Sequence, residues 1–366
     1  KVMNRFIKKI ISCAAAVACL CVNASAQTKI TSSNYSNFGI LDEDYSQYIG
    51  YYAITSSADL KGFANLVNGG SNTINGVVTT NINVAVADFT PIGTSTYPFR
   101  GTFERYSGTI QISASSETNT TSRSYQGLFG YNSGTIKSVQ LALDKVTIYG
   151  TQYVGGIAGY NTGTITGCSV KLKNNSTGGI KGTSTTTYAG GIAGYNTGTI
   201  GDATKCTNNV SVIGVSVVGG IAGYNSGTVW GQNNGDVTGT GSSYVGGIVA
   251  NNVGTVKSST NNGNVTGAGY SVGGVCAINN GTSSVIDGCS NKSTIVGSSY
   301  NVGGICGHNN KGTVKNTANN TGAIKGTYNV GGVCGKNEGG KITGGSSAAN
   351  ILIEATSTNS YVGGIC

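Results

Sequence analysis

Nine copies of one glycine-centred phrase fill the chain from residue 127 onward, and they constrain its fold more than any other feature. The copies read Gly127-Leu128-Phe129-Gly130, Val154-Gly155-Gly156-Ile157-Ala158-Gly159 and Ala189-Gly190-Gly191-Ile192-Ala193-Gly194, drifting later to Val302-Gly303-Gly304-Ile305-Cys306-Gly307. Anchored at Gly127, Gly156, Gly191, Gly220, Gly247, Gly274, Gly304, Gly332 and Gly364, they recur every 27 to 35 residues. Units of that length cannot bury a core alone, so they must stack and share one. The 61 Gly, with abundant Ser, Thr and Asn, could suggest a flexible tether. Disorder keeps no register, however, and here Ile, Val and Tyr return at fixed phase.

The clearest unit, 244–269, holds three short β-prone pieces separated by Asn-Asn and Gly turn signals, none with helical spacing or length. We therefore expect an all-β parallel β-helix (β-solenoid) with about three short strands per coil, stacked at roughly 4.8 Å. Asn132, Asn161, Asn196, Asn225, Asn252, Asn279, Asn309 and Asn337 share one phase, each followed closely by Gly. Corner turning is the expected role, with Asn in the left-handed conformation or bonding to the next Asn along the stack, and Gly at positive φ. A sugar-binding Asn stripe is the functional alternative. Ile136, Ile165, Ile200, Val229, Val256 and Val314 are the expected inward anchors of the second side, and Val237, Val265 and Ile324 those of the third.

Residues 1–26 read as an export signal: Lys1, Arg5, Lys8 and Lys9, an apolar run from Ile10 to Val22, then Ala24-Ser25-Ala26. The apolar run is too short to span a bilayer as a helix, and no other segment approaches that length. Ala16-Val17-Ala18-Cys19 is a poor match to a lipoprotein box, so lipid anchoring at Cys19 is the lesser reading. Residues 27–49 form a leader. Within 50–124, Leu60, Phe63, Ala64 and Val67 make an i, i+3, i+4, i+7 stripe after Ser57-Ala58-Asp59. That region is expected to be an N-terminal amphipathic capping helix plus early irregular coils, followed by solenoid repeats over 125–366. Because the last copy stops at Cys366, a missing C-terminal domain or anchor is expected.

The chain resembles the GLUG-motif repeat family of bacterial secreted and surface proteins over about residues 50–366. The likeness rests on Gly127-Leu128-Phe129-Gly130, on the Val-Gly-Gly-Ile copies with Asn-x-Gly-Thr-Ile, and on Ala58-Asp59-Leu60, Phe63-Ala64, Thr90-Pro91-Ile92-Gly93 and Gly101-Thr102-Phe103. The resemblance implies a secreted or surface β-solenoid, often part of an adhesin-like protein. Similar repeats also precede the catalytic domain of zinc peptidases that cleave immunoglobulin A. The chain departs from the family at Glu104-Arg105-Tyr106-Ser107, where a tetrad Asp-Gly-Asn-Gly is usual.

Catalytic chemistry has little to stand on. The one histidine, His308, sits at a variable phase otherwise held by Tyr131, Tyr160, Tyr195, Tyr224, Asn251, Ile278 and Lys336, which predicts exposure and no His-Glu-x-x-His site. Carboxylates are scattered singly except at Asp42-Glu43-Asp44, and no cysteine pair has metal-site spacing, so no metal or other cofactor is expected. Cys276, Cys306, Cys334 and Cys366 share one phase; stacking brings such Cα atoms within disulfide reach, but buried free thiols are the favoured reading. Charged residues make up only 10% of the chain, and losing the four basic residues of the signal lowers the net charge from +9 to +5, which does not suit nucleic acid.

Tyr131, Tyr160, Tyr195 and Tyr224 lie one coil apart and form the best candidate for a ligand-binding aromatic strip, with Trp230 close behind the fourth ring. Their bland role is to brace one another. The sequence thus points to a non-catalytic secreted or cell-surface rod, adhesin-like or structural, with a host glycan or extracellular protein as partner. The alternative is an N-terminal scaffold for a larger extracellular enzyme such as a zinc peptidase.

Overall fold

The computed structural model describes residues 27–241, 244–298, 300–319, 322–347, 352–357 and 360–366. The segment 1–26, with its export signal and Cys19, lies outside them. The chain winds as a parallel β-solenoid. Eleven strands from Tyr52–Ile54 to Lys341–Thr343 stack in one sheet, and eight from Phe129–Asn132 to Cys334–Glu338 in a second. The strands of successive coils pair in parallel, in register as in Ala158↔Ala193↔Ala222↔Val249, with shifts only where Ile110–Asn119 and Arg123–Gln126 meet Gln140–Gly155. Eleven strands at the parallel-sheet spacing make a rod about 50 Å long. No helix among the described residues is long and apolar enough to cross a membrane.

Three sides per coil hold, but five strands build them rather than three. In one coil these are Tyr244–Gly246, Val249–Asn252, Thr255–Lys257, Thr260–Asn261 and Val265–Gly267. The first side breaks at the Gly-Gly pair, and a carbon on Gly155 or Gly190 would collide with the carbonyl of Ala158 or Ala193 across the bend. The second side breaks at a left-handed residue, whose occupant varies: Ser138 (φ 59°), Gly167 (φ 61°), Ser258 (φ 48°), Gly288 (φ 61°), Asn316 (φ 53°) and Gly344 (φ 64°). Left-handed corners therefore fall here and not at the repeated asparagines, which is where the sequence had placed them.

Asn132, Asn161, Asn196, Asn225, Asn252, Asn279 and Asn309 face inward and are fully buried, and Asn337, which ends the series, is exposed. Each passes an Nδ2 hydrogen to Oδ1 of the next, from Asn132 through Asn161, Asn196, Asn225, Asn252, Asn279 and Asn309 to Asn337, at 2.7–2.9 Å. The same Nδ2 donates to the carbonyl of Gly134, Gly163, Gly198, Gly227 or Gly254 in its own coil. Of the glycines that follow, Gly281 (φ 98°) and Gly339 (φ 64°) take the expected positive φ, and the others serve close approach: a carbon on Gly163 or Gly198 would strike the carbonyl of the glycine one coil below. A second buried ladder of the same sense, absent from the sequence reading, runs Asn208→Asn233→Asn261→Asn291 at 2.8–2.9 Å. An amide left unpaired in an apolar interior costs several kcal/mol, so each ladder fixes the register of every coil it crosses.

One continuous core fills the rod. The expected anchors Ile136, Ile165, Ile200, Val229, Val256 and Val314 are completely buried, as are Val237, Val265 and Ile324. Helix α1 (Ser57–Asn68) closes the N-terminal end, capped by Ser56 Oγ, which accepts from the Asp59 amide at 3.1 Å. Its buried stripe of Leu60, Phe63, Ala64 and Val67 sits on an aromatic plug, with Phe63 at 5.4 Å from Phe103 and both Phe103 and Phe99 against Phe129. Residues 27–50 pack against the outside of the first coils. Ile30, Ile40 and Tyr48 bury there with Ala53 and Val77. The departure at Glu104–Ser107 explains this docking: Tyr106 OH donates to Asp44 at 3.1 Å and accepts from the Leu41 amide at 3.2 Å.

Candidate functional site

The Gly-Gly bend folds each first side into a narrow arch and so brings the residue before the phrase beside the residue after it. Where both are tyrosine, the two columns merge into a slab. Tyr131, Tyr160, Tyr195 and Tyr224 stack at 4.7, 4.8 and 4.2 Å between ring centroids. Tyr125, Tyr153 and Tyr188 form the second column: Tyr153 and Tyr188 stand edge-on to the first, 5.1 Å from Tyr160 and 5.3 Å from Tyr195, and Tyr125 lies nearly parallel to Tyr131 at 5.9 Å. Their recurrence at 28 and 35 residues was present in the sequence and went unused.

All seven rings are half-buried. Burial raises the hydroxyl pKa of Tyr131, Tyr153, Tyr160 and Tyr195, and the neighbouring Tyr224 adds to the rise at Tyr195. Planes tilted by only 12–13° along Tyr160, Tyr195 and Tyr224 cover each ring face with the next ring. What points outward is ring edge and hydroxyl. Trp230 does not join the strip. It lies beyond the Thr228–Val229 strand on the second side, with Lys257 Nζ 4.0 Å above its ring.

Residues 150–176, which contain the Tyr153–Tyr160 arch, match the family model described as "The GLUG motif". The chain carries the GLUG motif. No curated protein matches the chain. A solved structure of a Bacteroides ovatus protein, provisionally named an immunoglobulin A1 protease, is 16% identical and covers 75% of this chain and 76% of its own, with a TM-score of 0.41.

The remaining candidates fall along the same GLUG arches. Cys276, Cys306 and Cys334 are buried, in register and free, while Cys366 is exposed. Strict alternation fails because Cys306 and Asn309, three residues apart, both face inward. Burial raises the thiol pKa of Cys276, and contact with Cys306 followed by burial raises that of Cys334, which keeps both thiols protonated and unreactive. His308 is half-buried rather than exposed, with Nε2 3.1 Å from Glu338 Oε2. Burial, then Lys336, lowers its pKa against the pull of Glu338, and Lys336 Nζ reaches the same carboxylate at 2.7 Å. That arrangement favours a neutral ring tied to a shared surface ion pair. Among the described residues no three His, Cys, Asp or Glu side chains stand close enough to hold a metal ion.

Proposed function

We propose that this chain is a non-catalytic extracellular rod, adhesin-like, whose GLUG coils hold a surface at a fixed reach from its point of attachment. The pair of buried amide ladders carries the reading, because they lock coil to coil and leave no hinge between Asn132 and Asn337. The basic head, apolar run and Ala24-Ser25-Ala26 support export. The tyrosine slab belongs to this rod as a brace: with ring faces already stacked on one another, little face remains for a sugar or peptide.

Small-angle scattering on the chain from residue 27 tests the rod. A stiff particle about 50 Å or more in length with a constant cross-section is expected. A flexible or compact particle would overturn the reading. For the slab, replacing Tyr131, Tyr160, Tyr195 and Tyr224 together with Ser should lower the melting temperature and leave a glycan-array profile unchanged; loss of binding with unchanged melting would make the strip a ligand platform instead.

A further inference from the structure

The two amide ladders described so far are sealed in the core, but a third amide row lies on the surface. It follows the corner between the second and third sides through Gln111, Ala142, Lys171, Asn209, Asn234 and Asn262, one position per coil. Asn234 Nδ2 donates to Asn209 Oδ1 at 2.6 Å, and Asn262 Nδ2 to Asn234 Oδ1 at 2.7 Å. Asn209, Asn234 and Asn262 are all exposed. Beside them runs a parallel hydroxyl and amide row of Ser169, Thr207, Gln232, Thr260 and Ser290. Where the first row reaches Ala142 its side chain is cut short, opening a cleft of about 350 Å³ edged by Asn83, Thr109, Gln111, Lys171, Lys173 and Asn174.

We infer that this surface row and its Ala142 cleft bind an extended, uncharged, β-linked polysaccharide lying along the rod; the inference rests on the extracellular reading above. An Asn amide has two N–H donors and an oxygen with two lone pairs. Asn234 Oδ1 is filled by Asn262 and by Gln232 Nε2 at 3.1 Å, and Asn209 Nδ2 also donates to the Val170 carbonyl at 3.3 Å. The row therefore keeps one amide hydrogen per Asn and the acceptor capacity of Asn209 and Asn262 for sugar hydroxyls, which both donate and accept. The spacing between coils, about 4.8 Å, is close to the advance per sugar of such a chain, so the same contact can recur from coil to coil. Electrostatics do not call for a polyanion: of the two cations on the cleft, Lys171 and Lys173, the second is paired with Asp144 at 2.9 Å, and the run Asn209, Asn234, Asn262 carries no charge before Lys292. Contacts of this kind are weak singly and add up through multivalency, which predicts binding that tightens with ligand length.

Affinity electrophoresis of the chain from residue 27 through gels containing hydroxyethyl cellulose or β-1,4-mannan tests the inference, with dextran and polygalacturonate as controls. Retardation by an uncharged β-linked polymer, insensitive to salt, is expected, and cellohexaose should bind about tenfold tighter than cellotriose if cellulose is the polymer retained. The triple variant N209A/N234A/N262A touches neither buried ladder; it should melt like the parent yet lose about tenfold in affinity. Ala142→Leu, which fills the cleft, should weaken binding several-fold. No retardation by either uncharged β-linked polymer overturns the inference, as does a triple variant that binds like the parent, or retention by polygalacturonate alone that disappears in salt. Scattering reports the rod separately, so a stiff particle that binds no polysaccharide removes this inference and leaves the extracellular rod standing.

Discussion

The first coils and the last use one backbone with different fillings. Between residues 57 and 143 the core holds Phe63, Phe99, Phe103, Phe129, Leu128, Leu141 and Leu143, while from 249 to 334 its apolar side chains among the described residues are all Val, Ile, Ala or Cys. The arch differs in parallel. Tyr131, Tyr160, Tyr195 and Tyr224 give way to Asn251, Ile278, His308 and Lys336, and the stacked tyrosines move to an open corner. There Tyr270, Tyr300 and Tyr328 are 38–57% exposed, with centroids 6.1 and 5.2 Å apart. What stays constant is the Asn132–Asn337 ladder. The register is thus set by amides common to both halves, and the aromatic residues add stability mainly to one.

The strongest way to break this comparison is to cut the plug. Phe103→Ala should cost about 4 kcal/mol in urea unfolding, against about 1 kcal/mol for Cys306→Ala, which removes a single sulfur. Equal costs would mean that the two cores are equivalent. Asn196→Ala strands the Asn161 donor and the Asn225 acceptor, an expected loss of about 3 kcal/mol. Asn279→Ala should cost the same in the later half, since the ladder does not distinguish them. Tyr195→Ala, which abandons rings on four sides, should cost about 2 kcal/mol. Tyr300→Ala at the exposed corner should fall within about 0.5 kcal/mol of the parent.

Alkali sharpens the same contrast. The folded state raises the hydroxyl pKa of Tyr131, Tyr153, Tyr160 and Tyr195, and that of Tyr48 to about 12. A raised folded-state pKa favours the neutral phenol, so the contribution is whole below about pH 10 and is lost as pH climbs through the folded-state values. Melting temperature should therefore decline above about pH 10. The decline should be shallower in a variant with those four slab tyrosines changed to Phe.

Period, asparagine series and anchors were legible because each rests on one residue type repeating at one phase: Gly156, Asn161 and Ile165 have counterparts in nearly every coil. The number of strands was not, since Val154–Gly159 reads as one apolar run and only the clash at Gly155 reveals the bend. The left-handed corner was hidden by variety, with Ser, Gly and Asn sharing one backbone role from Ser138 to Gly344. The ladder Asn208, Asn233, Asn261 and Asn291 was visible as a recurring Asn and was missed beside the more regular series. Trp230 was grouped with the tyrosines by nearness in sequence, but a corner intervenes between Asn225 and Trp230, and around a solenoid a few residues are enough to change sides.

Each buried amide is oriented by the carbonyl of its own coil, so the hydrogens travel from Asn132 toward Asn337 without a reversal. The rod accordingly has a grain. Whole turns can be duplicated or lost in evolution without disturbing it, whereas a turn grafted in the opposite sense would set donor against donor, and two such rods can join end to end only head to tail.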